Sequence, residues 1–335
     1  MTDEPGSSEL RPELTPGSPV GGVFSLERRP APGLYFLAWL LAVGGIGLVL
    51  VGLLAADRTA TTILLLGGLA ALICGLSSGA GYQVLARADR PADRYRGPSP
   101  VIVFGIAVAA TSALALLLGP VGLIDFESPA GFLIGLLLVA SGYLLSLWLF
   151  VVRTGSLSWR EMGWPVRGLT LGRLLDDGAT AIAVMAPANL VISIAGGLLA
   201  ALLGVKGAQT IPTPRDDLGV LLLVLAVVIV APTAEELFFR GFSLVAWWRD
   251  RGGRTALIRS ALFFAIVHIA NVTGDSAREG VLLALITFMT VLPLGFLLGW
   301  LFQRRGIVAA VLGHAASNAT ALVLFGLATR LAEPA

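Results

Sequence analysis

From residue 35 to residue 330 the chain is a succession of nine apolar stretches, at 35–56, 61–86, 101–124, 130–152, 178–204, 218–248, 255–271, 281–303 and 306–330. About 20 apolar residues in helical form cover the roughly 30 Å hydrocarbon core of a bilayer, and only a helix or a closed barrel satisfies its own backbone groups there. Hydrophobicity here runs continuously through each stretch and does not alternate, which selects the helix. With 56% hydrophobic and 13% charged residues, the chain could not fold as a water-soluble globule without exposing large apolar patches. The sequence therefore predicts an all-α, polytopic transmembrane helical bundle of about nine spans (eight to nine), with the membrane lipid as its first partner.

Basic residues test this count of spans. If the N-terminus is cytoplasmic, 17 of the 23 lysines and arginines fall in inside segments, five fall outside, and Arg240 lies within a span. The inside groups are Arg11, Arg28 and Arg29; Arg87 to Arg96; Arg153 to Arg173; Arg249 to Arg259; and Arg304 with Arg305. The positive-inside rule then predicts a cytoplasmic N-terminus, and losing one span would scramble the alternation. A net charge of +2 reports this topology and gives no basis for a nucleic-acid partner. The single Cys74 excludes an intrachain disulfide and a cysteine zinc site.

Residues 1–33, rich in Pro, Gly, Ser and Glu and lacking an apolar core, are expected to form a disordered cytoplasmic tail and not a signal peptide. Residues 34–175 carry little intramembrane charge and much Gly, Ala and Leu, as a scaffold of packed or lipid-facing helices requires. Within them, 157–173 sets Trp159 and Trp164 among arginines, which predicts an interfacial segment, potentially a short amphipathic helix. Polar content rises from about residue 178, and 176–335 is the expected working core. No internal repeat of the transporter kind stands out.

The chemistry is concentrated in three spans. Span six holds Glu235, Glu236 and Arg240, span seven holds His268, and span nine holds His314 and Asn318, so both histidines of the chain lie at membrane depth. Ionisable groups there are costly unless they pair or face a cavity, which makes their convergence a functional-site hypothesis. Glu236 and Arg240 are i,i+4 with the acid first, the favourable order for a helical ion pair. Glu235 is left free, and its like-charged neighbour and the poor solvent both suit a general base. Pro232 removes a backbone donor one turn earlier, where a kink would admit water. Phe264/His268 and His314/Asn318 each share a helix face. Both imidazoles lie nine residues from an arginine, Arg259 or Arg305, hence about 13 Å deep at 1.5 Å per residue. Glu235 is fourteen residues from Arg249, about 21 Å, and matches that depth only if span six tilts or projects.

These motifs, EExxxR at 235–240, FxxxH at 264–268 and HxxxN at 314–318, resemble the signature of the CAAX protease and bacteriocin-processing (CPBP, or Abi) intramembrane endopeptidases. The resemblance covers roughly 218–330. It implies hydrolysis of a peptide bond in a membrane-associated or prenylated protein or peptide, within the cytoplasmic half of a cell membrane. It further implies that Glu235 and His268 activate water, that His314 and Asn318 form the oxyanion hole, and that Glu236, Arg240 and Phe264 support them. Members of the family have been described as metalloproteases, and Glu235, His268 and His314 could ligate zinc. The zincin HExxH is absent, however, and a metal-independent glutamate mechanism with no required cofactor is the preferred expectation.

Two other classes remain as alternatives. A proton-coupled transporter could use the same acids and histidines as a relay, and a catalytically inactive scaffold or immunity protein would show no turnover. Gly75-Leu76-Ser77-Ser78-Gly79 fits the GxSxG elbow in letters only, since it lies in a helical span. Gly295 and Gly299 form a GxxxG pair that does not decide the oligomeric state.

Overall fold

The computed structural model describes residues 25–26, 29–119, 124–164, 168–205 and 211–332. Most of the predicted tail, with Arg11 and Arg28, lies outside them, as does Arg167. The described residues form nine helices and no strand: α1 (Pro32–Leu54), α2 (Arg58–Ala86), α3 (Pro100–Leu118), α4 (Pro129–Val152), α5 (Leu171–Leu203), α6 (Asp217–Arg251), α7 (Gly253–Ile269), α8 (Ala277–Arg305) and α9 (Ile307–Ala332). Eight are long and apolar enough to cross a membrane. The remaining helix is α7, whose 17 residues rise about 25 Å and so fall short of the hydrocarbon thickness.

Start signals match the helix ends. Asp57, Ser128, Thr170, Asp216 and Ser276 each accept a hydrogen bond from a first-turn N–H, and proline opens α1, α3 and α4. Helices α1 to α4 pack in series. Helix α6 is the centre, touching α4 on one side and α7, α8 and α9 on the other, while α5 closes against α8 and α9. The core lies where these meet: Phe238, Phe239 and Phe242 of α6 are sealed by Tyr143 and Leu147 of α4, Phe264 of α7, and Leu298 and Leu301 of α8. Outward faces are apolar, as with Leu40, Val43 and Leu50 of α1, which is how a helix meets lipid.

Helices α1 and α2 form a hairpin held backbone to backbone. A Cβ added at Gly75 would stand 2.6 Å from the Ala42 nitrogen, so the glycine that opens the GxSxG run is a packing residue. The Ser78 hydroxyl is bonded to the Cys74 carbonyl of its own helix. Gly75→Ala is therefore expected to cost about 1–3 kcal/mol by overpacking. Thermal unfolding in detergent checks this; an unchanged midpoint would show the hairpin to be loosely held.

At the arginine-rich end, the α2–α3 loop is bound to the end of α6. Arg90 meets Asp250 at 3.3 Å, Arg94 donates to the Asp250 carbonyl at 2.8 Å, and Tyr95 is buried against Phe242 with its hydroxyl on the Pro98 carbonyl. The Trp159 segment is a turn and not the short amphipathic helix expected. Ser158 and Glu161 cap each other reciprocally, Leu157 and Met162 are buried, and Gly163 at φ +91° ends the turn before a helix can propagate. Arg249 of α6 holds Glu161 at 2.5 Å. Partial burial alone would raise the Glu161 carboxyl, but the Ser158 N–H, the Arg249 guanidinium and the Ser158 hydroxyl outweigh it and bring it to about 2.

Candidate active site

The site begins with an irregularity in α6. Two π-helical stretches, Leu225–Val230 and Leu237–Leu244, flank the α-helical turn Ala231–Glu236 that carries both acids. A π turn bonds i to i+5 and leaves carbonyls short of partners, so something must satisfy them. Ser243 donates to the Phe238 carbonyl at 2.9 Å, and Ser260 of α7 donates to the Phe239 carbonyl at 3.0 Å. The carbonyl of Val227 is the one that residue 232 would serve across a π turn, and Pro232 has no N–H. Asn318 of α9 supplies the donor instead, with Nδ2 2.8 Å from the Val227 oxygen. None of the serines was legible as part of the site, because their partners are backbone atoms exposed only by the π geometry.

The two adjacent acids point to different tasks. Glu236 and Arg240 are both fully buried and paired at 2.7 Å, as the i,i+4 spacing predicts. Arg240 also donates to the Gly295 carbonyl of α8 at 3.2 Å and lies 4.2 Å over the Phe264 ring, a cation–π contact in a dry setting. Glu236 Oε1 is shared with His314 Nδ1 at 2.9 Å. Phe264 thus stands at the middle of the site, 4.3 Å from the His268 ring and 5.7 Å from that of His314. Gly295 permits this closeness: a Cβ there would stand 3.2 Å from the Ala261 backbone of α7, so this half of the GxxxG pair serves contact within one chain.

Protonation states follow from these partners. His268 Nδ1 lies 2.7 Å from the Phe264 carbonyl, which can only accept, so Nδ1 carries the proton and Nε2 presents a lone pair. His314 Nδ1 likewise faces an Arg240-paired carboxylate, which frees its Nε2. Both Nε2 atoms converge on Glu235 Oε2, at 3.8 Å for His268 and 3.9 Å for His314. That oxygen is buried and has no hydrogen-bond partner among the described residues. Three acceptors around one point, too far apart to bond directly, form a slot that only a donor or a cation can fill. Water fits by geometry, since one molecule can lie about 2.8 Å from each of two atoms 3.8 Å apart.

Zinc matches the donors in kind, and both histidines have the outer partners expected of ligands. It does not match in spacing. Neighbouring ligands on tetrahedral zinc stand roughly 3.4 Å apart, and both imidazole nitrogens here lie farther than that from Glu235 Oε2. Among the described residues no group of three or more His, Cys, Asp or Glu is arranged to hold a metal ion.

The expected residues thus come together: Glu235, Glu236, Arg240, Phe264, His268 and His314 share one site, and Asn318 borders it through α6. The shared depth of the two histidines holds. Glu235 reaches it because π turns place more residues in each turn than the α-helical rise assumes.

The fold and site define a polytopic helical membrane protein with a buried glutamate–histidine centre. Residues 217–320, the stretch from α6 into α9, match the family described as type II CAAX prenyl endopeptidase Rce1-like. No curated protein and no solved structure matches the chain significantly.

Proposed function

We propose that the chain is an intramembrane endopeptidase in which Glu235 and His268 activate a water molecule, with 176–335 as the catalytic core and 34–175 as its scaffold. The convergence of Glu235 Oε2 with two imidazole lone pairs supports this reading above all. Glu235 and His268 each accept one hydrogen of the water, directing its oxygen lone pair outward. Attack on a peptide carbonyl sends one water proton to the Glu235–His268 pair and negative charge to the carbonyl oxygen. The second N–H of Asn318, and His314 when its Nε2 carries a proton, stabilise that charge. The held proton then passes to the amine as the C–N bond breaks. Glu236 and Arg240 fix His314, and Phe264 holds both rings. The substrate is a membrane-associated protein or peptide, with prenylated tails the class that the family description names. The site lies in the cytoplasmic half of the bilayer if arginines mark the inside.

Quantitative profiling of new protein termini in membranes from cells expressing wild type or Glu235→Gln tests the reading. Termini formed only by the wild type establish proteolysis and name the substrate; identical profiles with the variant inserted leave a transporter or scaffold. Cleavage is expected to persist after metal chelation, because no step needs an ion. Loss on chelation with recovery on added zinc would transfer Glu235, His268 and His314 to the role of ligands.

A further inference from the structure

Helix α5 carries an amide into the bundle at the level of the site. Asn189 is 5% exposed, and its Nδ2 donates to the carbonyl oxygen of Ser317 in α9 at 3.0 Å. Because α9 is a continuous α-helix there, that carbonyl also has the N–H four residues on, so the bond is an addition and not a repair. The bond from Asn318 to Val227 differs, since it replaces a donor that Pro232 lacks. An amide held away from water among apolar helices needs a partner, which explains why Asn189 bonds at all. It does not explain where.

The bond falls on the turn of α9 that carries His314 and Asn318. Gly313 and Ser317 each precede one of these residues and occupy the neighbouring face, about 100° round the axis. One turn before Asn189 on α5, Met185 is fully buried, and a Cβ added at Gly313 would stand 3.1 Å from its Cγ. Met185 and Asn189 therefore grip α9 at Gly313 and Ser317, the first by shape and the second by a directed bond. From another face the same turn reaches α6, with His314 Nδ1 2.9 Å from Glu236 Oε1 and Asn318 Nδ2 2.8 Å from the Val227 oxygen. A rotation of α9 by about 10° displaces a group ~6 Å from its axis by roughly 1 Å. Glycine has no side chain to interlock with Met185, so shape alone resists such a rotation weakly. The Asn189 bond opposes it directly.

We propose that Asn189 is a positioning residue, its amide fixing the rotation of α9 and with it the reach of His314 and Asn318 toward the site. A helix outside the matched stretch 217–320 then sets the geometry of residues inside it. The effect on rate rests on the peptidase reading; the placement of His314 does not.

Asn189→Leu keeps the bulk of the side chain and removes the donor. The chain has two histidines, so the ring nitrogen resonances of isotopically labelled histidine are few enough to be assigned with His268→Gln. The His314 Nδ1 resonance, which reports the bond to Glu236, is expected to shift in Asn189→Leu, and a resonance at the wild-type position overturns the proposal. On a synthetic peptide spanning a cleavage site found by terminus profiling, Asn189→Leu is expected to lower kcat about tenfold with KM unchanged, part of the hundredfold that a misplacement of roughly 1 Å can cost. A fall of less than threefold overturns it as well. Gly196→Ala is the control for a general loosening of α5, because its Cβ would stand 2.8 Å from Thr290 Cγ2 of α8 and not against α9. It is expected to lower the thermal midpoint while leaving kcat and the His314 resonance as in the wild type; if it moves them as Asn189→Leu does, the proposal falls. Should Asn189→Leu fail to insert, Asn189→Ala carries both tests. Failure of the peptidase reading is seen separately, as Glu235→Gln cleaving like the wild type, and the His314 resonance then decides alone.

Discussion

Glu235→Gln is expected to lower turnover about 10³-fold, within the span that a positioned general base contributes, while leaving the fold intact. The two effects separate because Glu235 Oε2 makes no hydrogen bond in the structure, so the amide forfeits no protein contact. The substituted group also reverses the hydrogen-bonding sense of the slot. An amide N–H facing the His268 or His314 lone pair would satisfy it directly and occupy the place of the water. Cleavage of the substrate peptide and thermal unfolding in the same detergent, measured side by side, decide the matter. Turnover within tenfold of wild type, or a fall in both quantities together, would sink the base assignment.

Arg240→Ala should be the most destabilising single change in the chain. Both partners of the pair are wholly buried, and removing the guanidinium strands Glu236 as an uncompensated charge. Breaking such a pair costs about 3–5 kcal/mol, whereas replacing both partners by neutral groups of similar size is close to neutral. The lost contacts to Gly295 and Phe264 add to the single variant. The double variant Glu236→Gln/Arg240→Met should therefore recover much of the stability that Arg240→Ala loses, though not activity, since His314 loses its charged anchor. Additive losses in denaturant titrations would mean that the pair is solvated and that the buried-charge account is wrong.

Helical periodicity made part of this site readable from the sequence. The i,i+4 relation of Phe264 with His268 survives in three dimensions because α7 is a regular α-helix, and that of Glu236 with Arg240 survives although Arg240 lies in a π-helical stretch, because two long side chains still reach each other. The helix-rise argument likewise placed His268 and His314 together. It misplaced Glu235, because π turns interrupt α6 and hydropathy carries no signal for them. The same blindness affects Asn318. Resemblance assigned it to the oxyanion, yet one of its N–H groups is committed to Val227, a need created by Pro232 and a π turn together. The Trp and Arg pattern of 157–173 suggested a short helix, but Gly163 limits the Ser158–Glu161 turn to a length below that of a helix.

The distribution of the site over the chain governs when activity can arise during synthesis. Glu236 meets His314 only across 78 residues, and α9 is also what satisfies Val227 within α6. A nascent chain that has inserted α6 and α7 already holds Glu235 and His268, but its oxyanion donors are still unmade and Val227 is unsatisfied. If Glu235 is the base proposed above, such an intermediate has nothing to stabilise the charge it would create. On the proposed peptidase reading, hydrolytic competence therefore arrives only with α9, the last helix of the site to be made.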